Sequence, residues 1–190
     1  MTEAKKREWA FLLFVAFLGI FLLVKTVRLS FDEGQIRLTI SQQNGAIASI
    51  ETARNVSSKK VLMLQTIDFP ETRILQNKQY GKLGYSQNFF LDAEVDMVVK
   101  SAGKYRFTVR SDDGFRLLID AKSVCQHPGD RPMQGTECVV PLSNGNHRFS
   151  LSYFQGGGPM GLQVTYQKIG EKASYFVGEN SDDLRFKASQ

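Results

Sequence analysis

Apolar and polar residues alternate along most of the second half of the chain, and this period of two limits the folds that it can adopt. In the segment 105–110, Tyr105, Phe107 and Val109 are expected to face one way and the polar residues between them the other. The same alternation returns in the segments 115–119, 138–142, 147–153 and 162–166. No helical period is visible after Val24. Several short strands at this spacing predict an all-β fold, in the form of a β-sandwich.

The region before these strands predicts more β structure. The segment 36–40 alternates, Asn44-Gly45 supplies the residues of a tight hairpin turn, and 47–51 is expected to return as the second strand. The more continuous apolar run Val61–Phe69 fits a strand that is covered on both faces.

These patterns divide the β region into three parts. We expect a β-hairpin and strand extension at 31–70, the sandwich itself at 71–169 and a C-terminal tail at 170–190. The tail is mostly polar apart from Tyr175-Phe176-Val177, so it is either a docked strand or a frayed end.

The segment Trp9–Val24 is apolar without interruption and has basic residues on both sides. Its 16 residues reach only about 24 Å at about 1.5 Å per residue, but a span over 9–29 covers a bilayer core if Lys25 snorkels. This predicts one N-terminal transmembrane helix, a signal-anchor, after a cytoplasmic stub at 1–8. A cleaved signal peptide is the alternative, although the residues after Val24 lack the small-x-small pattern of a cleavage site.

The chain contains two cysteines, Cys125 and Cys138, without a CxxC or zinc-type spacing. A disulfide between them would close a loop of about 14 residues and stabilise the fold by about 3 kcal/mol. Such a bond persists in oxidising compartments, which predicts a single-pass protein of the inner (cell) membrane whose C-terminal domain is periplasmic or extracellular. The alternative is two buried free thiols in a cytosolic domain.

Two separated segments carry a resemblance to a known family. The run 103–120 (GKYRFTVRSDDGFRLLID) resembles the signature G-x-Y-x-F-x-x-x-S-D-D-G-x-x-L-x-I-D of the PA-14 domain, named after the N-terminal part of anthrax protective antigen. The segment 142–153 is similar to the family's L-x-x-G-x-H-x-x-x-x-x-Y, and 162–166 lies where the family's last strand belongs. The resemblance covers roughly 89–167 and implies a PA-14-like β-sandwich.

The resemblance also implies a ligand. Members occur in yeast adhesins, bacterial glycosidases and toxins, commonly where carbohydrate is bound. In the sugar-binding members two adjacent aspartates, joined by a cis peptide, coordinate a calcium ion that takes hydroxyl groups of the glycan. The resemblance assigns this role to Asp112 and Asp113. The alternative is that Asp-Asp-Gly is an ordinary hairpin turn whose carboxylates cap backbone N–H groups.

Calcium requires six to eight oxygen ligands, so the two aspartates need help. Sugar-binding relatives add an Asn and backbone carbonyls from later loops. Asn144 and Asn146 are candidates here, as is the loop 155–160, in which Gly157 and Gly158 allow close approach of the backbone. Ala121 replaces the Gly that is usual after Ile-Asp in the family.

Other site types are less well supported. His147 is expected to be a hydrogen-bonded core residue. Asp92, Glu94 and Asp96 share one strand face, which could hold a cation but is more typical of a solvated face. Because there is no G-x-S-x-G motif, phosphate-binding glycine loop or basic-aromatic stripe, the sequence predicts neither an enzyme nor a nucleic-acid-binding protein. The net charge of +5 is scattered over the surface.

Two functions therefore remain open. The first is a membrane-anchored recognition module that binds a cell-wall, exopolysaccharide or surface glycan, with calcium as the expected cofactor. The second is a non-catalytic structural or scaffolding subunit of a cell-envelope protein complex. The sequence does not fix the glycan, the partner proteins or the oligomeric state.

Overall fold

The strands expected from the alternation form in the computed structural model, which describes residues 13–19 and 35–187 of the chain. Residues 13–19 form a short helix, α1. The strands of the region 35–187 are β1 (Ile36–Gln43), β2 (Val56–Leu64), β3 (Asp68–Thr72), β4 (Gln76–Asn77), β5 (Gly81–Lys82), β6 (Phe89–Val99), β7 (Gly103–Asp112), β8 (Phe115–Ile119), β9 (Lys122–His127), β10 (Gln134–Leu142), β11 (Gly145–Gln155), β12 (Met160–Lys168), β13 (Tyr175–Phe176) and β14 (Leu184–Lys187). The all-β prediction is confirmed for this region.

The strands form two main antiparallel sheets. The large sheet has the order β2-β1-β6-β11-β8-β9, and β14 pairs with β6 beyond the start of β1. The small sheet has the order β10-β7-β12-β13, and β3 also pairs with β12. In the large sheet Gln42 lies opposite Phe89 and Arg37 lies opposite Glu94, so β1 ends beside the start of β6. We call this end of the sandwich, where β7 also ends at Asp112, the upper end.

The inward faces of both sheets form one apolar core. Tyr105, Phe107 and Val109 are all fully buried, as the alternation predicts. Phe107 of the small sheet packs against Phe149 of the large sheet with 5.9 Å between ring centroids. The side chains that interdigitate between the sheets therefore come from the alternating positions that the sequence marks.

The N-terminal part differs from the predicted hairpin in the position of its turn. The hairpin partner of β1 is β2, which begins at Val56, and 47–51 does not form the return strand. Instead Ile47 and Ile50 pack with Phe90 and Phe154 in a second apolar cluster. These two aromatic residues alternate with inward-facing ones, so they lie on the outer face of the large sheet and need a cover. Burial of this patch therefore outweighs the local turn signal of Asn44-Gly45.

The run Val61–Phe69, expected as one strand covered on both faces, contains the end of β2 and the start of β3. β2 belongs to the large sheet and β3 to the small sheet, so the chain crosses between the sheets after Leu64. Leu64 and Phe69 both reach the core, whereas Val61 is 49% exposed on the edge of the large sheet. The continuous apolar run is therefore not one strand covered on both faces. It contributes core side chains from two strands that belong to different sheets.

Both flanks of the expected sandwich at 71–169 are built into its sheets. β1, β2 and the start of β3 come from the region 31–70, and β13 and β14 come from the tail 170–190. The tail is docked: the Val177 N–H donates to the Val164 carbonyl at 2.9 Å, and Val177 is fully buried.

Replacing Gly178 by Ala is expected to destabilise the domain by about 2 kcal/mol, because its φ of 107° is unfavourable for an L-residue and an added Cβ would overlap the carbonyl oxygen of Gln65. Gly170→Ala is the matched control, since Gly170 has a φ of 103° but open space around it. Urea denaturation measures both variants. Equal losses would contradict a tightly docked tail.

The disulfide Cys125–Cys138 is present, with the two Cα atoms 5.8 Å apart. Cys125 lies in β9 at the edge of the large sheet, and Cys138 lies in β10 at the edge of the small sheet. The predicted pairing is confirmed, and the bond joins the two sheets along one open side of the sandwich.

The predicted membrane span at 9–29 lies outside the described residues except for α1, and the stub at 1–8 lies outside them entirely. Within residues 13–19 and 35–187, no helix combines the length and the apolar character needed to cross a membrane. The anchor stays a prediction.

Candidate functional site

Asp112 and Asp113 lie at the upper end of the sandwich, where β7 ends and the chain turns into β8. Asp112 is opposite Gly161 of β12, and the Asp112–Asp113 peptide is cis, as the resemblance implies. Both residues are buried, with exposed fractions of 6% and 1%. Two neighbouring carboxyl groups are thus held within the protein at the rim of the core.

Buried hydroxyl groups support the backbone of this pair. The Ser111 Oγ–H donates to the Asp113 carbonyl at 2.6 Å. The Tyr153 hydroxyl contacts both the Asp112 carbonyl and the Gln155 Oε1 atom, and it can donate to only one of them at a time. The backbone of the aspartate pair is therefore fixed by side chains of β7 and β11.

The two oxygens of the Asp113 carboxylate differ in their surroundings. Oδ2 accepts the Gly156 N–H at 2.8 Å. Oδ1 is buried and has no hydrogen-bond partner within the described part of the chain. A buried acceptor without a partner is costly, so Oδ1 is an open coordination position for a cation or a donor.

The electrostatic environment opposes ionisation of both carboxyl groups. Burial, together with the charges of Glu71 and Asp130, raises the pKa of Asp112 to about 6. Burial, together with the nearby Asp130 carboxyl group, likewise raises the pKa of Asp113 to about 7. The charged forms of these neighbouring carboxyl groups are disfavoured in the protein alone. A bound cation would therefore stabilise them strongly.

The loop that connects β11 and β12 lies directly beside Asp113. Gln155 is fully buried, and its Nε2 donates to the carbonyls of Gly157 and Pro159, each at 2.9 Å. These bonds curl the loop 156–159 around the Gln155 amide. Of the later-loop candidates, Gly157 and Gly158 are therefore close to the aspartate pair, as a shared site requires.

Asn144 and Asn146 are at the opposite end of the sandwich. They flank the start of β11, whereas Gln155 ends it, and ten residues of extended strand span about 33 Å. The structure does not bring these asparagines together with Asp112 and Asp113.

Residues from the N-terminal part close one side of the site. The Ile50 N–H donates to the Pro128 carbonyl at 2.8 Å, which ties the 44–55 connection to the β9–β10 loop. Asn88 accepts the Ile47 N–H through its side chain and donates its own N–H to Gly156. The segment 44–55, which lies outside the PA-14 resemblance, thus contacts the β9–β10 loop directly and the β11–β12 loop through Asn88.

Sequence reasoning missed three residues of this site: Asp130, Arg131 and Ser111. Asp130 and Arg131 lie in the β9–β10 loop, whose fold cannot be inferred from alternation. Arg131 is 92% buried, since its exposed fraction is 8%, and its charge acts on Asp112. Ser111 is part of the Ser-Asp-Asp-Gly motif, but the motif does not show that its hydroxyl donates a hydrogen bond to the Asp113 carbonyl.

The residues present fit a calcium ion in their chemistry. Asp112 and Asp113 offer carboxylate oxygens, which are hard donors, and Asp113 Oδ1 is buried with no hydrogen-bond partner among the residues that the structure describes. Within residues 13–19 and 35–187, however, no three His, Cys, Asp or Glu side chains are arranged as a ready-made metal cluster. Further ligands would have to come from backbone carbonyls, from the bound ligand or from a shift of Asp130.

The other titratable candidates have structural partners. Arg148 pairs with Glu94 at 2.9 Å and with Asp96 at 3.0 Å on the outer face of the large sheet. His147 lies between the Asp120 carboxylate, 2.7 Å from Nδ1, and the Ser143 carbonyl, 2.9 Å from Nε2. Burial lowers the pKa of His147, but these two acceptors outweigh it and the net shift is upward. His147 is hydrogen-bonded, as expected, but it is only partly buried and is not one of the core residues.

In the absence of calcium the protein is expected to be more stable at pH 5 than at pH 8, by about 5 °C in Tm. The pKa values of Asp112 and Asp113 lie above the ordinary 3.8, so their contribution to stability is complete below about pH 4 and is lost as the pH rises through 6 to 7. Thermal unfolding in a chelator at the two pH values measures the difference.

His147 also has a raised pKa and favours the lower pH, so the comparison needs a variant that isolates the site. Asp113→Asn removes one of the two shifted carboxyl groups and should reduce the dependence on pH. An unchanged dependence in Asp113→Asn would assign the effect to His147 and contradict the electrostatic account of the site.

Comparison with solved structures identifies the class of domain. The domain has a PA14-like fold. It is similar to the PA14 sugar-binding domain from an RTX adhesin, with a TM-score of 0.59, 16% sequence identity and coverage of 76% of this chain and 94% of that one. It is also similar to the PA14 domain of the antifreeze protein MpAFP, with a TM-score of 0.61, 14% identity and coverage of 74% and 85%.

A third similar structure is the A domain of epithelial adhesin 6 from Candida glabrata, in complex with Galβ1-3GlcNAc. Its TM-score is 0.55 at 11% identity, with coverage of 83% of this chain and 89% of that one. No model of a known family matches the sequence, and no curated protein matches it. At these identities the similarity establishes the fold alone.

Proposed function

We propose that this protein is a non-catalytic recognition module that binds carbohydrate through a calcium ion held by Asp112 and Asp113. The observation that carries the proposal is the buried Asp113 Oδ1, which has no hydrogen-bond partner in the described part of the chain and lies beside a second buried carboxyl group. In a purely structural turn the carboxylate oxygens cap N–H groups, as Asp113 Oδ2 does for Gly156 and the Asp112 carboxylate does for the Met133 backbone. Asp113 Oδ1 caps no group among the described residues.

In this proposal Asp112 and Asp113 hold the ion and the loop 156–159 forms the adjacent wall. When bound, calcium supplies a site for two or more glycan hydroxyl groups, which are hard oxygen ligands. Gln155 keeps the loop curled, and Tyr153 and Ser111 keep the aspartate backbone in place. Sugar binding by the RTX adhesin domain and by the Candida adhesin, as their descriptions state, supports the choice of ligand class.

We also propose that the module is tethered to the cell membrane by the segment 9–29 and faces the periplasm or the cell exterior. The disulfide Cys125–Cys138 supports the oxidising compartment, because such bonds are rare in the cytosol. The apolar run Trp9–Val24 supports the anchor.

Calorimetry of the full chain, purified in detergent and stripped with a chelator, tests the function. Calcium should bind and raise the Tm, and a glycan array should then retain the protein in calcium but not in chelator. Magnesium is the control, since it prefers an octahedral shell with several waters and should bind more weakly. Absence of both calcium binding and calcium-dependent retention would refute the proposal.

A structural subunit of an envelope complex is the second candidate, and the exposed strand β2 favours it. β2 forms an edge of the large sheet, and Val61 on it is 49% exposed. Unpaired strand edges are templates for association. Because β1 lies inside the large sheet, deleting 35–69 would disrupt the fold, so Val61→Glu is the better test. Loss of co-purifying envelope proteins with calcium binding intact would support this function.

A further inference from the structure

The buried guanidinium group of Arg131 is unusual in its partners. It forms no ion pair with a carboxylate among the described residues. Nη1 donates to Thr136 Oγ1 at 2.8 Å and Nη2 donates to Ser111 Oγ at 2.7 Å, while Nε is buried and finds no acceptor within residues 13–19 and 35–187. The guanidinium carbon also lies 5.2 Å from the centre of the Phe115 ring. Burying a charge against hydroxyl groups is costly, so fold stability alone does not explain its position.

The contact with Ser111 continues to the candidate site. Ser111 Oγ accepts from Arg131 and donates its single hydrogen to the Asp113 carbonyl at 2.6 Å. Ser111 is fully buried, so no competing water is expected at its hydroxyl. Since a serine hydroxyl can rotate, the donation from Arg131 determines the direction in which the hydroxyl hydrogen points. The three groups form a directed chain that ends on the backbone of Asp113.

We propose that Arg131 and Ser111 are positioning residues for the calcium site, a role that rests on the function proposed above. Arg131 orients the Ser111 hydroxyl, and Ser111 fixes the peptide plane of Asp113 so that Oδ2 meets the Gly156 N–H and Oδ1 stays open for the ion. Removing a group that orients a metal-ligating side chain typically weakens metal binding by about 10- to 100-fold.

A purely electrostatic role for Arg131 would have the opposite sign. Its positive charge acts on Asp112 and would repel a bound cation, so removing the charge alone would tighten calcium binding. Positioning predicts weaker binding. Ser111→Ala changes no charge and therefore tests the relay without this ambiguity.

Thr136→Val is the matched control. Both substitutions remove one hydroxyl that accepts from the same guanidinium group, but only Ser111 contacts Asp113. The two variants are compared as the full chain in detergent, by calcium titration calorimetry and by thermal unfolding in chelator. Ser111→Ala should bind calcium about tenfold more weakly or worse, and Thr136→Val should bind like the wild type, at similar Tm in chelator.

Arg131→Met completes the experiment and should also weaken calcium binding. In the double variant with Ser111→Ala, the loss should be smaller than the sum of the single losses, because the two residues act in series. Equal calcium affinity for Ser111→Ala and the wild type would overturn the relay, as would equal losses for Ser111→Ala and Thr136→Val. Tighter binding by Arg131→Met would overturn the positioning role of Arg131. No binding by the wild type would instead refute the calcium site itself.

Discussion

Replacing Asp113 by Asn is expected to reduce calcium affinity by about 100-fold or more and to abolish calcium-dependent retention on glycan. The substitution keeps the shape of the side chain and removes the charge that a calcium ion requires. In chelator the variant should be at least as stable as the wild type near pH 8, because the carboxyl group that it replaces is buried and resists ionisation.

The combination of lost binding and retained stability separates a functional residue from a structural one. Asp96→Asn is the control, since Asp96 lies in an ion pair with Arg148 on the outer face of the large sheet. It should leave calcium affinity unchanged. Calorimetry and retention on glycan measure both variants. If Asp113→Asn bound calcium like the wild type, or if it simply unfolded, the aspartate pair would not be the ion site.

Loss of the disulfide is expected to destabilise the domain by about 3 kcal/mol, as measured by urea denaturation of Cys125→Ala/Cys138→Ala. The bond closes a loop between residues that are 13 positions apart, which restricts the unfolded chain. In the folded state it joins β9 and β10, the edge strands of different sheets. The loop that it closes contains Asp130 and Arg131, so calcium affinity should fall as well.

A reducing agent provides the internal control. It should destabilise the wild type to the level of the double variant and leave the double variant unchanged. A smaller effect than about 1 kcal/mol would mean that the two sheets are held together by the core alone.

The sequence predicts those parts of the fold in which local pattern and tertiary packing agree. Strands β7, β8, β11 and β12 each bury one alternating face against the core, so the period of two is sufficient to find them. The turn after β1 was misplaced because Ile47 and Ile50 cover an aromatic patch, Phe90 and Phe154, that is itself formed by distant strands. Such non-local burial leaves no period in the local sequence.

The residues of the candidate site also divide into those that the local sequence predicts and those that it does not. The motif identified Asp112 and Asp113 because neighbouring residues carry the resemblance. Arg131 and Asp130 were not found, because a loop joins them to the site and their role depends on how that loop folds over β7. Asn144 was proposed from its residue type alone, and the direction of β11 places it at the other end of the sandwich.

The direction of β1 also determines how the domain can be presented. The strand begins at Ile36 and reaches the upper end at Gln42, opposite Phe89, about 20 Å farther along. Because β6 continues to Val99 and pairs there with β14, the polypeptide enters the domain about halfway along the large sheet, away from Asp113. An attachment made at Gln35 would therefore lie about 20 Å along the sheet from the end that carries the proposed calcium site. Capture assays with this protein should accordingly immobilise it through its N-terminal side.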